Sequence, residues 1–269
     1  MYFSITSPQN QQFKRWKKLL SKKGRQTEGA YLAEGVHLLQ EALTAKGEIR
    51  SIIIREGFVD SEKWIEANQA HTPVYQLSAP IFSKLIDTES PQGVLTEVTI
   101  PHWDIETQLK ESNLILLLDE IQDPGNLGTI LRTASATGVD LVVLGKGTVD
   151  PYNSKVIRST MGAVFHLPIL EADLLEVIPM LRQKNITVVG TSPHNGVYSF
   201  DYLFPTRVAI VLGNEGRGIQ EAVLQQIDQA LMVPMVGRAE SYNVSITAGI
   251  LLYEQLRQHH HLKMNEPKI

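Results

Sequence analysis

Five short, almost unbroken apolar runs constrain this chain more than any other feature: LILLLDEI (Leu114–Ile121), LVVLG (Leu141–Gly145), ITVVGTS (Ile186–Ser192), VAIVLG (Val208–Gly213) and ALMVP (Ala230–Pro234). Runs of this length without polar alternation read as strands buried on both faces. Helical stretches lie between most of them, which predicts an α/β domain with a mainly parallel sheet covered on both sides. A last helix is expected from about Val244 to Gln258, with Ile246, Ile250, Leu251 and Tyr253–Leu256 on and around its buried side. Glycine, carboxylate, serine and asparagine cluster between Leu212 and Tyr253, at strand ends, where such sheets bind ligands.

With 269 residues the chain exceeds one small core and is expected to form two domains. Residues 1–100 read as a small α/β domain, 101–113 as a linker, and 114–269 as the parallel domain. In the first, residues 7–23 predict a helix capped by Ser7, with Phe13, Trp16 and Leu20 at helical spacing. Val36–Ala45 and Ser61–Ala70 also read as helices, and Ser51–Gly57, Pro73–Ser78 and Gly93–Ile100 as strands. The linker assignment rests on the polar stretch Pro101–Asn113, which a proline opens.

Composition narrows the function classes. Hydrophobic residues make up 43% and charged residues 20%, ordinary globular usage. No apolar run reaches the roughly 18–20 residues a membrane helix needs, and the N-terminal stretch has no signal-peptide core, which places the chain in the cytoplasm with no membrane partner. The absence of cysteine removes disulfides, thiolate zinc sites and thiol nucleophiles. Net charge is −4, yet Lys14, Arg15, Lys17, Lys18, Lys22, Lys23 and Arg25 form a basic block without an acid. Such a block is a solvated helix face or a local contact with a polyanion.

Common nucleotide fingerprints are missing. LILLLDEI is followed by QDPGNLG rather than by GxGxxG, and no GxxxxGK[ST] occurs. The only histidine cluster, His259–His261, sits at the polar end of the last helix, and no metal is expected. A serine hydrolase elbow is absent as well.

Three segments, taken together, are more specific. DEIQDPGNLGTILRTAS (Asp119–Ser135), IVLGNEGRGI (Ile210–Ile219) and VPMVGRAESYNVSITAGI (Val233–Ile250) resemble, in order and spacing, the three motifs of the SpoU/TrmH family of RNA 2′-O-ribose methyltransferases, of the SPOUT class. The N-terminal KRWKKLLSKKGRQTEGAYLAEGVHLLQEAL, with QGV at Gln92–Val94, is similar to the L30e-like substrate-binding domain of rRNA-modifying members. The resemblance implies a C-terminal trefoil knot, a homodimer, S-adenosyl-L-methionine as cofactor and RNA, ribosomal RNA above all, as substrate. A tRNA methyltransferase of the same class, or an RNA-binding protein that retains the fold without activity, are the alternatives.

By the same resemblance Asn126, Arg132, Glu215, Ser241 and Asn243 match the family's functional polar positions. Gly213, Val233 and Tyr242 match cofactor-contacting positions, with Thr191 in the preceding loop a further candidate, and the basic block Lys14–Arg25 is expected to contact RNA. Tyr242 departs from the leucine usual there, which bears on side-chain packing beside the adenine. A guanidinium stays protonated in proteins, so Arg132 suits phosphate binding and oxyanion stabilisation better than the role of base. An RNA phosphate or another acceptor would then take the 2′-OH proton.

Overall fold

The computed structural model describes residues 2–58, 72–192 and 195–259. The helix expected over Ser61–Ala70 and two members of the histidine cluster, His260 and His261, lie outside the described residues. The chain forms two compact units, 1–102 with 150–166 and 103–149 with 167–269.

The first unit is built on a sheet of five strands: β1 (Tyr2–Ile5), β2 (Ala30–Glu34), β3 (Ile49–Arg55), β4 (Val74–Leu77) and β5 (Val94–Thr99), in the order β1-β4-β3-β5-β2. β1, β4 and β3 run parallel, whereas β5 is antiparallel to β3 and β2. One face packs against Phe13, Trp16 and Leu19, the other against Leu39. The single helix expected over 7–23 is two helices, Gln11–Leu19 and Lys22–Glu28. Asn10, not Ser7, caps the first by accepting from the N–H groups of Gln12 and Phe13, and Ser21 opens the second by accepting from Gly24 N. A side chain at Gly24 would collide with the Lys18 carbonyl, so glycine permits the sharp change of direction. Leu19 is buried while Leu20 is exposed, the reverse of the expected register.

Asp150–His166 completes this unit. Tyr152 stacks on Tyr31 of β2 at 4.8 Å, and Val156 and Ile157 of the helix Ser154–Thr160 are buried.

The second unit carries β6 (Leu114–Leu118), β7 (Leu141–Leu144), β8 (Ile169–Glu171), β9 (Thr187–Thr191), β10 (Val197–Tyr198), β11 (Val208–Leu212) and β12 (Gln229–Met232). They form one sheet in the order β10-β12-β9-β11-β6-β7-β8, with every pairing parallel. The five apolar runs are thus β6, β7, β9, β11 and β12. The central β6 and β11 are buried at every residue, as strands covered on both faces must be.

Within the expected linker, Ile105–Glu111 is a helix: Asp104 caps it by accepting from Thr107 N at 2.8 Å, and Leu109 is buried in the second unit's core. The last helix, Val244–His259, packs along the helix Pro124–Thr137. Its buried side carries Val244, Ala248, Leu251, Leu252 and Gln255. Ile246 and Tyr253, expected near that side, are 51% and 64% exposed. No helix among the described residues is long and apolar enough to cross a membrane.

Candidate active site

The carboxyl ends of β6 and β11, neighbours at the middle of the sheet, bring the first two motifs together. Asp119, just past β6, is buried and accepts hydrogen bonds from Gln220 N and Gln220 Nε2, both at 2.7 Å. Glu120 adopts a left-handed φ of 56°, and its carbonyl accepts from Asn214 Nδ2 at 2.9 Å. Asp123 then caps the helix Pro124–Thr137 by accepting from Asn126 N at 2.8 Å, with Pro124 in the first turn, so Asn126 lies inside that turn.

After β11 the chain closes a tight loop. Asn214 and Gly218 exchange two backbone hydrogen bonds of 2.9 Å, and Asn214 Oδ1 accepts from the N–H groups of Gly216 and Arg217. A Cβ at Gly213 would lie 2.1 Å from Ile219 N. The glycine is therefore required by the loop's own backbone, independently of any close approach by a cofactor.

This loop presents Glu215 to the first motif. Its Oε1 accepts from Asn126 Nδ2 at 3.0 Å and Asp123 N at 3.2 Å, and its Oε2 from Gln122 N at 3.3 Å. Partial burial works against ionisation, but the Asn126 amide and the backbone N–H groups of Glu215, Asp123 and Gln122 outweigh it and hold the carboxyl below the usual carboxylate range. Asn126 Oδ1 in turn accepts from Asn243 Nδ2 at 2.9 Å. Asn243 Oδ1 accepts from Ser245 N at 2.8 Å and Ser245 Oγ at 2.6 Å at the start of the last helix. One hydrogen-bonded line, Glu215–Asn126–Asn243–Ser245, thus joins all three motifs.

Beside this line opens a cavity of about 420 Å³. Thr191, Gly213, Glu215, Val233, Ser241 and Tyr242 all line it. Leu231, Val233, Met235 and Val244 supply apolar wall; Thr191, Ser192, Ser241 and Thr247 supply hydroxyls. The volume falls within the roughly 300–1,000 Å³ of small-molecule and cofactor sites, and mixed walls of this kind fit a nucleoside-bearing molecule the size of S-adenosylmethionine. Tyr242 is 42% exposed, and its hydroxyl donates to the Pro234 carbonyl at 3.3 Å, bracing the middle of the third motif against its own start just after β12.

Arg132 is not part of the line. It is exposed on the helix Pro124–Thr137, and its side chain makes no hydrogen bond or ion pair among the described residues. The basic block is divided. Arg25 is buried, with Nε donating to Asp150 Oδ2 at 2.8 Å and Nη1 to the Leu19 carbonyl at 2.7 Å, so it is committed to the first unit's interior and not to a surface. Arg15 reaches the buried carboxylate of Glu97, which also accepts from Trp16 Nε1 and Ser51 Oγ, and Lys18 pairs with Glu28 at 2.9 Å. Lys14, Lys17, Lys22 and Lys23 are exposed.

Asp119, Asn214 and Ser245 were not singled out by sequence reasoning, although each holds one motif in place. A carboxylate directly after an all-apolar strand was the available signal for Asp119. Asn214 and Ser245 look like ordinary turn and helix-start residues. Among the described residues no cluster of histidine, aspartate and glutamate could hold a metal ion.

Known proteins resemble both units. Residues 113–253 match the SpoU rRNA Methylase family, and residues 10–96 match an MRM3-like substrate binding domain. The chain is 39% identical over 249 residues to the 23S rRNA (guanosine(2553)-2′-O)-methyltransferase RlmP of Bacillus subtilis, covering 93% of this chain and 97% of that protein. It is similar to a solved RNA 2′-O ribose methyltransferase (33% identity, TM-score 0.80, covering 96% of this chain and 99% of the other). The AdoMet-bound rRNA methyltransferase of Sinorhizobium meliloti is similar at 28% identity and a TM-score of 0.86, covering 97% of this chain and 98% of that one. Three motifs joined by one hydrogen-bonded line that borders a cavity, and likeness along nearly the whole length, lead to one conclusion: the chain belongs to the SpoU rRNA Methylase family.

Proposed function

We propose that this chain is a cytoplasmic RNA methyltransferase that uses S-adenosylmethionine to methylate a ribose 2′-oxygen of ribosomal RNA. The observation that carries the reading is the line Glu215–Asn126–Asn243–Ser245 running beside the cavity. The 23S rRNA activity of the Bacillus subtilis relative, alike over both units, favours ribosomal over transfer RNA.

When bound, S-adenosylmethionine supplies a sulfonium methyl group as the electrophile. Given to the ribose 2′-oxygen, that methyl group would leave a neutral thioether behind, and the 2′-OH proton would have to be taken up by another group. The chain's task is to hold the reacting atoms in line and keep water out. Gly213, Val233, Tyr242 and Thr191 would hold the cofactor, and Ser241 and Glu215, the latter backed by Asn126 and Asn243, would flank the reacting centre. Arg132, whose side chain has no partner among the described residues, binds an RNA phosphate and stabilises charge developing on the oxygen. The proton passes to that phosphate or to another acceptor.

The same reading includes a C-terminal trefoil knot and a homodimer. Exposed Ile246 and Tyr253 with part-buried Ile250 place an apolar stripe at i, i+4 and i+7 on the last helix, opposite its buried side, which suits helix pairing between two copies. The exposed lysines of the first unit are the RNA contacts.

The reading is tested by mapping ribose methylation across ribosomal RNA from cells with and without the gene. One methylated position should disappear in the deletion and return with the intact gene. An unchanged map overturns the ribosomal assignment.

A further inference from the structure

Among the described residues lining the cavity, Glu215 and Arg217 are those that carry charge. They are in opposite situations. Glu215 is committed to the Asn126 amide and to the N–H groups of Gln122 and Asp123. Arg217 is anchored through its backbone, whose N–H donates to Asn214 Oδ1 at 3.1 Å. Its guanidinium holds Glu120 Oε2 through Nη2 at 2.8 Å while the side chain remains 71% exposed. An ion pair so open to water is weak and easily exchanged. The Glu120 side chain is only 23% exposed, so the more movable partner is the arginine.

The cofactor carries a sulfonium, an ammonium and a carboxylate. Hydroxyls and apolar groups make up most of the remaining wall, and the carboxylate of Glu215 repels an anion. An arginine offers a planar fork that matches a carboxylate with two parallel N–H donors. We propose that Arg217 is the residue that binds the α-carboxylate of S-adenosylmethionine, leaving Glu120 to do so. This rests on the cofactor reading above and adds to it the residue that recognises the amino-acid end. Glu120 keeps the guanidinium at the rim until the anion arrives.

The test uses the full chain and calorimetry with two probes, S-adenosylmethionine and its decarboxylated analogue, which retains the sulfonium and the amine. Arg217→Ala should bind S-adenosylmethionine about tenfold more weakly than the wild type, the loss of one charge-assisted contact. It should bind the decarboxylated analogue as the wild type does. Arg217→Lys, which keeps the charge and loses the fork, should fall between. Equal weakening toward both probes would mean a damaged loop, and no weakening toward either, with a drop in RNA affinity instead, would assign the guanidinium to an RNA phosphate. Both results overturn the proposal. A wild-type chain that binds neither probe would overturn the cofactor reading itself, a result distinct from either.

Discussion

Asn243 Nδ2 donates to Asn126 Oδ1 at 2.9 Å, which ties the start of the last helix to the first turn of the helix after β6. Each amide uses both its ends: Asn126 Nδ2 donates onward to Glu215, and Asn243 Oδ1 accepts from Ser245. Turning either amide over would set donor against donor or oxygen against oxygen, so the line has one consistent direction. Asn126→Asp keeps the shape but removes the donor facing Glu215. Methyl transfer should fall about a hundredfold, the scale of losing one positioned hydrogen bond at a reacting centre. Single-turnover rates with saturating cofactor would measure it, and a rate near wild type would remove Asn126 from the working site.

The same contacts set how Glu215 responds to acid. Its folded-state pKa is depressed, so the stabilisation it contributes is present above the ordinary carboxylate value and is lost as pH falls through the lower, folded value. Glu215 is exposed, so the effect on global stability is small. In the Asn126→Ala variant the carboxyl loses one of its donors, and its titration midpoint should move up toward the usual carboxylate range. Carbon-detected NMR titration of the Glu215 side chain reads this directly. An unmoved midpoint would mean that the backbone N–H groups hold it alone.

What could be read from residues alone followed the strength of local signals. β6, β7, β9, β11 and β12 were legible because each is a continuous apolar run. β1, β8 and β10 were not: they are two to four residues long, and β1 and β10 carry exposed aromatics such as Tyr2 and Tyr198 that fit a loop equally well. The break at Ser21 was masked by the unbroken lysine pattern, since the collision that makes Gly24 necessary involves Lys18, six positions earlier in the chain and invisible to periodicity. The three motifs were legible by resemblance, but the bond between Asn126 and Asn243 spans 117 positions and depends on the sheet order. The burial of Arg25 depends on Asp150, 125 positions away, and composition placed that arginine with its exposed neighbours.

Arg132 separates function from stability. An exposed side chain with no partner among the described residues contributes little to folding, and Arg132→Ala should leave stability within about 0.5 kcal/mol of wild type. Its proposed work on the RNA phosphate predicts that catalysis drops by about a hundredfold or more while cofactor affinity is kept. Arg132→Lys should recover only part, because an ammonium cannot reproduce the fork. Thermal unfolding, calorimetry and single-turnover kinetics on the two variants check all three statements. A large loss of stability in Arg132→Ala would mark the residue as structural.

Arg25 and the lysines around it should behave in opposite ways. Arg25→Ala leaves the Asp150 carboxylate in the interior without its guanidinium, and removing one member of a buried pair costs about 3–5 kcal/mol. Its RNA binding would then fail because the first unit unfolds, visible as a lowered melting temperature. Lys14, Lys17 and Lys23 are exposed, and changing all three to Glu should leave the melting temperature nearly unchanged. RNA affinity should fall, and its dependence on salt should flatten, because fewer counterions are released when fewer phosphates are neutralised. Binding isotherms at several salt concentrations, read beside melting curves, distinguish the two mechanisms. Full RNA affinity in the triple variant would show that this face is only solvated, while an unchanged melting temperature in Arg25→Ala would show that the buried pair adds nothing to the fold.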